Sequence, residues 1–384
     1  MPLPAPTSVY VHVPFCVVKC GYCDFHSFVP EGDGPLDVFL DGLERELACT
    51  ALPEAPLSVF LGGGTPSFLD PPRLARLFAL LARHLDLRAC PEVTMEANPE
   101  SFTAEKGAIA RAAGVNRLSM GAQSFHPAHL RFLDRAHDAA RTHAAFAEGR
   151  RAGFANQSLD LIYSLPGQTL EQWDRDLQSL LALEPDHTSC YSLTFEPGTR
   201  LHRDLQQGRV RPNDDTLERE FFLHTRTVLR AAGFTPYEIS NFAGRGGPCR
   251  HNDHYWLQGD YAGLGPGASS HRQGVRHTNL KALGAWAQAL ADGAPPVASA
   301  ETLTREQRAA EALWLGIRRS AGVDLDAVSA RLDLDVGARF AEPLARALER
   351  GWLAPEPGRA RLSDAGLLFA NSVAESFLES AAGP

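Results

Sequence analysis

Cys16, Cys20 and Cys23 are separated by three and then two residues in the segment VYVHVPFCVVKCGYCDF. Thiolates at this spacing wrap one loop around a cubane iron–sulfur cluster, each taking one iron and leaving the fourth open to a small chelating ligand. A structural zinc site wants four ligands, commonly as two pairs, and His26 is the residue that would complete one. The spacing, the aromatic Tyr22 inside it and the position directly after a strand-like run favour the cluster. The other four of the seven cysteines, Cys49, Cys90, Cys190 and Cys249, are scattered. An odd, dispersed count is no disulfide framework, so those four read as buried small hydrophobes.

Other residues with chemical potential gather at the ends of strand-like runs. Gly62-Gly63-Gly64-Thr65-Pro66 follows a second such run, and glycines there let the backbone approach a ligand and offer it N–H and C=O groups. Glu96 ends a third run, where it accepts hydrogen bonds from a ribose or an ammonium, or pairs with a neighbouring cation. Gln123 and Asp160 close later runs. Arg135 suits a carboxylate ligand, although LRFLDRAHDAAR holds other arginines that a helix surface would carry equally well.

The elements that must position these groups alternate. Strand-like runs at Val9–Val13, Val59–Leu61, Val93–Glu96, Arg117–Met120, Ser158–Ile162, Thr188–Leu193 and Pro236–Ile239 are separated by amphipathic helices. The clearest helix is Arg73–Leu85, with Leu74, Leu77, Phe78, Leu81 and Leu85 on one face. Stacked β–α units of this kind predict an α/β fold, a partial barrel of about six or seven parallel strands whose active site lies in the loops after the strands. The barrel is placed at residues 1–240. A Gly-, His- and aromatic-rich extension without simple periodicity follows at 241–295. Residues 296–384 read as a mainly helical, winged-helix-like domain, with helices Arg305–Arg318, Leu325–Leu332 and Gly337–Arg350 and a hairpin in GWLAPEPGRARLSDAG.

Bulk properties narrow the class. The 384 residues, 44% hydrophobic, suffice for one large and one smaller core. A net charge of -9 argues against broad nucleic-acid binding. MPLPAPTSVY has no basic region followed by an apolar core, and no apolar run approaches the ~20 residues that span a bilayer. A cytoplasmic protein is expected, with peripheral membrane association left open.

The cysteine segment and the order of YVHVPFC, CGYCDF, LGGGTPSFL, MEANPE, RLSMGAQSF, DLIYSLPGQT and LTFEPGT resemble the radical S-adenosylmethionine superfamily, and within it the oxygen-independent coproporphyrinogen III oxidase family. The resemblance implies a [4Fe-4S] cluster on Cys16, Cys20 and Cys23, with S-adenosylmethionine on its open iron beside Tyr10, Gly63 and Glu96. It implies a second S-adenosylmethionine pocket from Gly64, Thr65, Gln123, Arg135, Asp160 and Thr194, and an electron donor such as flavodoxin or ferredoxin.

Two features separate branches of the family. The oxidases carry a further cysteine two residues after the third, and Phe25 stands there instead. His251-Asn252-Asp253-His254-Tyr255-Trp256 resembles the HNxxYW signature of the haem-chaperone branch, which implies His251 as haem ligand and Tyr255 and Trp256 against the macrocycle. Read without the signature, these residues suit a core aromatic pair and a hydrogen-bonded core histidine. Cys249, His254, His271 and His277 are near in sequence, but Cys249 lacks the CxxCH spacing of covalent haem attachment. The favoured expectation is a chaperone delivering haem to acceptor proteins. The alternative is radical decarboxylation of two propionates of the porphyrinogen to vinyl groups. No catalytic residue is assigned.

Overall fold

Alternate residues of the strand-forming runs divide into two chemical faces, and the structure, a computed structural model describing residues 6–382, uses that division throughout. Strands β1 (Ser8–Val13), β2 (Ser58–Gly63), β3 (Val93–Ala97), β4 (Arg117–Gln123), β5 (Asn156–Tyr163) and β6 (His187–Ser192) pair in parallel in chain order. One set of side chains, including Val9, Val11, Val59, Leu61, Val93, Met95, Leu118 and Leu159, packs into the main apolar core. The opposite set is polar: the register aligns Glu96 with Ser119, Ser119 with Ser158, and Asp160 with Ser189. Period-two alternation thus gives the sheet an apolar face toward the helices and a polar face toward the barrel interior.

The helices form for local reasons. Asp70 accepts from the Arg73 N–H and caps Pro71–Ala82, which buries Leu74, Leu77, Phe78 and Leu81. Thr169 and Gln172 form a reciprocal capping box on Leu170–Ala182.

The seventh strand differs from expectation. Pro236–Ile239 is no parallel strand: only β7 (Thr235–Pro236) forms there, and it pairs antiparallel with β8 (Asn241–Ala243), itself antiparallel to β6. The seventh parallel strand is β9 (Tyr261–Leu264), from the Gly-rich extension, pairing with β1 on the other edge. Antiparallel strands β10 (Ser269–Arg272), β11 (Val275–Asn279) and β12 (Val297–Thr302) continue the sheet from there. The extension is therefore part of the sheet, which runs past residue 295 to Thr302.

A second apolar core, from Ala309 to Phe377, belongs to the C-terminal region. It holds the helices Arg305–Gly316 and Leu325–Leu332, and the expected Gly337–Arg350 helix appears as two, Val336–Arg339 and Ala341–Glu349, parted at Phe340. The strands β13 (Val323–Asp324) and β14 (Arg359–Ala360) pair antiparallel, and Leu353 bridges Leu362 where the hairpin was expected. Residues 1–5, which carry half of the N-terminal segment read as lacking a leader, lie outside the described residues. No helix among the described residues is long and apolar enough to cross a membrane.

Candidate functional site

The loop after β1 is fixed at both ends before it presents any thiol. Cys16 N–H donates to the Phe28 carbonyl at 3.1 Å and Phe28 N–H to the Pro14 carbonyl at 2.9 Å. At its middle, Gly21 N–H donates to Asp134 Oδ2 at 3.1 Å. Cys16, Cys20 and Cys23 are free and partly buried, and all three line one cavity of about 1340 Å³ at the C-terminal ends of the parallel strands. Among the described residues no three His, Cys, Asp or Glu side chains converge to hold a single metal ion. His26 is not in that cavity; it lies against His12, with ring centroids 5.9 Å apart. The three thiols thus face one space, where a cubane would take one iron from each and leave its fourth iron open toward the cavity.

The donor set also suits an anionic cluster. Arg135 Nη1 donates to Cys20 Sγ at 3.5 Å, and its Nη2 to Asn98 Oδ1 at 2.6 Å and the Gly121 carbonyl at 2.9 Å. Arg135 is thus recessed in the cavity wall rather than spread on a helix surface. Cys16 Sγ lies 3.4 Å from Thr65 Oγ1, which accepts from Asn98 Nδ2 at 2.9 Å. Burial pushes the Cys16 and Cys23 thiols up, so binding of iron would release their protons.

The glycine loop is forced by its neighbours. Gly63 has φ +96°, and a Cβ there would fall 2.2 Å from His12 Nδ1; one on Gly64 would fall 2.6 Å from the Val13 carbonyl. Gly63 N–H donates to Glu96 Oε2 at 3.2 Å. Burial, with Asp160 adding to it, pushes the Glu96 carboxyl up to about 8, and burial pushes Asp160 up as well. Gln123, at φ +65°, ends β4 at an irregularity in its pairing with β5. A non-glycine residue held there is strained, as residues at binding sites often are.

Gly63, Gly64, Thr65 and Glu96 line the cavity with the cysteines, and so do Gln123, Arg135, Asp160 and Thr194. Tyr10 does not; its hydroxyl lies 3.0 Å from His12 Nδ1, behind the glycine loop. Asn98, unremarked in the sequence although inside MEANPE, ties Thr65 to Arg135. Its only sequence signal is its place two residues past Glu96, beyond a strand end.

The HNDHYW residues lie elsewhere. Glu92, buried before β3, accepts from the Arg250 and His251 N–H groups at 2.8 and 2.9 Å and from Cys249 Sγ at 3.3 Å. This pins the helix Arg250–Trp256 across the N-terminal ends of β2 and β3. His251 is 3% exposed, with Nδ1 held 2.8 Å from Ser58 Oγ and Nε2 without a partner. Burial holds its imidazole neutral, pushed down to about 3. Its ring lies 5.0 Å from Phe60 and 4.6 Å from Tyr255, and the Trp256 ring carries the guanidinium of Arg318. Cys90, Cys190 and Cys249 are buried as expected, but Cys49 is exposed at the end of its helix.

Comparison with known proteins places these features in a family. Residues 10–180 match the radical SAM superfamily and residues 303–369 the HemN C-terminal domain. The chain is 39% identical to the heme chaperone HemW of Mycobacterium tuberculosis, covering 98% of this chain and 96% of that one. It is 34% identical to the heme chaperone HemW of Bacillus subtilis, over 97% and 99%. The fold matches the coproporphyrinogen III oxidase HemN of Escherichia coli with a TM-score of 0.84 at 24% identity, over 97% of this chain and 90% of that one. The chain belongs to the HemW family of the radical S-adenosylmethionine superfamily.

Proposed function

We propose that the chain is a haem chaperone that binds haem and a [4Fe-4S] cluster and passes haem to acceptor proteins. The observation that carries this reading is identity of 39% and 34%, over nearly the whole of both chains, with two proteins named heme chaperones. Phe25 supports it: the side chain stands exposed on the cavity wall where the oxidase signature has a cysteine.

In this reading Cys16, Cys20 and Cys23 hold the cluster, and Arg135 offsets thiolate charge at Cys20. The cluster supplies an open iron that chelates the amino and carboxylate groups of S-adenosylmethionine, and an electron when reduced. Gly63 presents its carbonyl and backbone to that ligand, with Tyr10 and His12 backing the loop and Glu96 accepting from its cationic end. Gly64, Thr65, Gln123, Arg135, Asp160 and Thr194 leave room for a second S-adenosylmethionine. His251 would supply a nitrogen ligand to the haem iron: Nε2 is without a partner, and burial keeps the ring in the neutral form that binds metals. Since the Phe60 and Tyr255 rings cover the imidazole, ligation needs these side chains to turn aside. An electron donor such as flavodoxin or ferredoxin would reduce the cluster, and the protein would work in the cytoplasm.

Anaerobic reconstitution tests the reading. Haem binding lost in His251→Ala, with transfer from the parent protein to apomyoglobin and no decarboxylation of coproporphyrinogen III given S-adenosylmethionine and reductant, is expected. Protoporphyrinogen formed over many turnovers would overturn it. Cys20→Ala should lose iron and the brown absorbance; full retention of both would overturn the cluster assignment.

A further inference from the structure

Arg318 follows the helix Arg305–Gly316 and reaches the same cavity from the C-terminal side. Its guanidinium carbon lies 5.8 Å from the ring centre of Trp256 and 5.2 Å from that of Trp314. Its Nη2 donates to Asn371 Oδ1 at 2.8 Å, while Nε is buried without a partner. Of the other arginines nearby, Arg135 is spent on Cys20, Asn98 and Gly121 and Arg319 on Asp253, while Arg219 also lines the cavity but stands exposed, where water solvates its charge. No carboxylate lies within ion-pair distance of Arg318 among the described residues; the buried Glu238 acts on it from further off, and burial still lowers its pKa on balance. A half-buried cation stacked in place without a direct ion pair is costly unless a ligand supplies one.

The rest of the cavity says what kind of anion. Val18, Phe25, Leu223 and Phe369 are large hydrophobic side chains left exposed, and all four line it. Its volume, about 1340 Å³, is larger than the roughly 300–1,000 Å³ of a usual small-molecule pocket. The ligand that matches has a broad apolar body and a carboxylate at its edge.

We infer that Arg318 anchors a propionate of the tetrapyrrole cargo in this cavity, and that Trp256 of the HNDHYW segment is a positioning residue that holds Arg318 rather than a platform for the macrocycle. The inference rests on the chaperone reading and adds a site to it. Trp256 then links the helix that carries His251 to the cavity wall. The other source of a carboxylate is the methionyl end of S-adenosylmethionine, and binding of that cofactor distinguishes the two.

The test is a Soret titration of the cluster-reconstituted protein with haem and with haem dimethyl ester, alongside S-adenosylmethionine binding. Arg318→Gln should weaken haem roughly 10- to 100-fold, as loss of a charge-assisted hydrogen bond does. It should leave the ester, already weaker on the parent protein, unchanged. Trp256→Leu should lose about 2- to 30-fold for haem and nothing for the ester, with Trp256→Phe near the parent. S-adenosylmethionine affinity should not move. Arg318→Gln binding haem like the parent, or losing haem and ester equally, overturns the anchor; loss of S-adenosylmethionine affinity alone assigns Arg318 to the cofactor instead. A parent protein that binds no haem overturns the chaperone reading and the anchor with it, whereas a parent that binds haem beside an unchanged Arg318→Gln overturns the anchor alone.

Discussion

Glu96 enters the pH range of physiological work because burial, with Asp160 beside it, pushes its carboxyl up to about 8. Below that pH the group carries a proton, and a cationic ligand that prefers the carboxylate must expel it. The affinity for S-adenosylmethionine should therefore fall as pH drops below 8, by up to about tenfold per unit, and level off above it. Glu96→Gln cannot titrate, so the part of the slope that belongs to this residue should vanish; dissociation constants from pH 6 to 9 for both proteins check it. An unchanged slope in Glu96→Gln would assign the titration to another group. The cluster cysteines, the glycine loop and these strand-end polar groups were legible in the sequence because each is marked by its neighbours in the chain. Asn98 was not, since its bonds to Thr65 and Arg135 span 33 and 37 residues and leave no periodic trace. Trp256 was legible as an aromatic but not as the partner of Arg318, which the chain reaches only after building β9–β12 and a helix.

At the scale of elements, six parallel strands were readable from their alternation and β9 was not, because GDYAGLGPG looks like a turn. Glycine is depleted from strands, yet Gly263 is there for close approach: a Cβ would sit 1.9 Å from the Ser269 carbonyl of β10. Pro236–Ile239 failed in the opposite way, having strand-like composition but no free edge beside β6, which β8 already pairs. Gly263→Ala should thus cost roughly 1–3 kcal/mol, as overpacking against a rigid backbone does. Gly284, exposed on the helix Leu283–Ala291, has open space at its Cβ, and Gly284→Ala should instead stabilise by about 0.4–1 kcal/mol. Urea unfolding of the two variants gives opposite signs if β9 is a structural strand, and equal small effects if that segment is a loop.

Across the whole molecule, two apolar cores share one cavity, so the wall that Arg318 and Phe369 provide depends on how firmly the second core is docked. The docking is largely polar. Arg319 makes parallel bonds of 2.7 and 3.1 Å to the Asp253 carboxylate, Ser320 donates to the Pro236 carbonyl at 2.8 Å, and Gln258 to the Arg308 carbonyl at 3.1 Å. Asp253 belongs to the same helix as His251 and Trp256, so one short helix is held by Glu92 at its start and by the C-terminal region further along. Removing the half-buried partner in Arg319→Ala leaves Asp253 without its cation and should cost about 1–3 kcal/mol. Because the ion pair joins the cores rather than building either, the loss should appear as easier undocking. Amide hydrogen exchange should rise in Arg305–Gly316 and Arg250–Trp256 and stay unchanged in β2–β5, where stability is set by the main core. Uniform acceleration across both cores would mean that they unfold as one unit, and that the cavity cannot open by releasing its C-terminal wall.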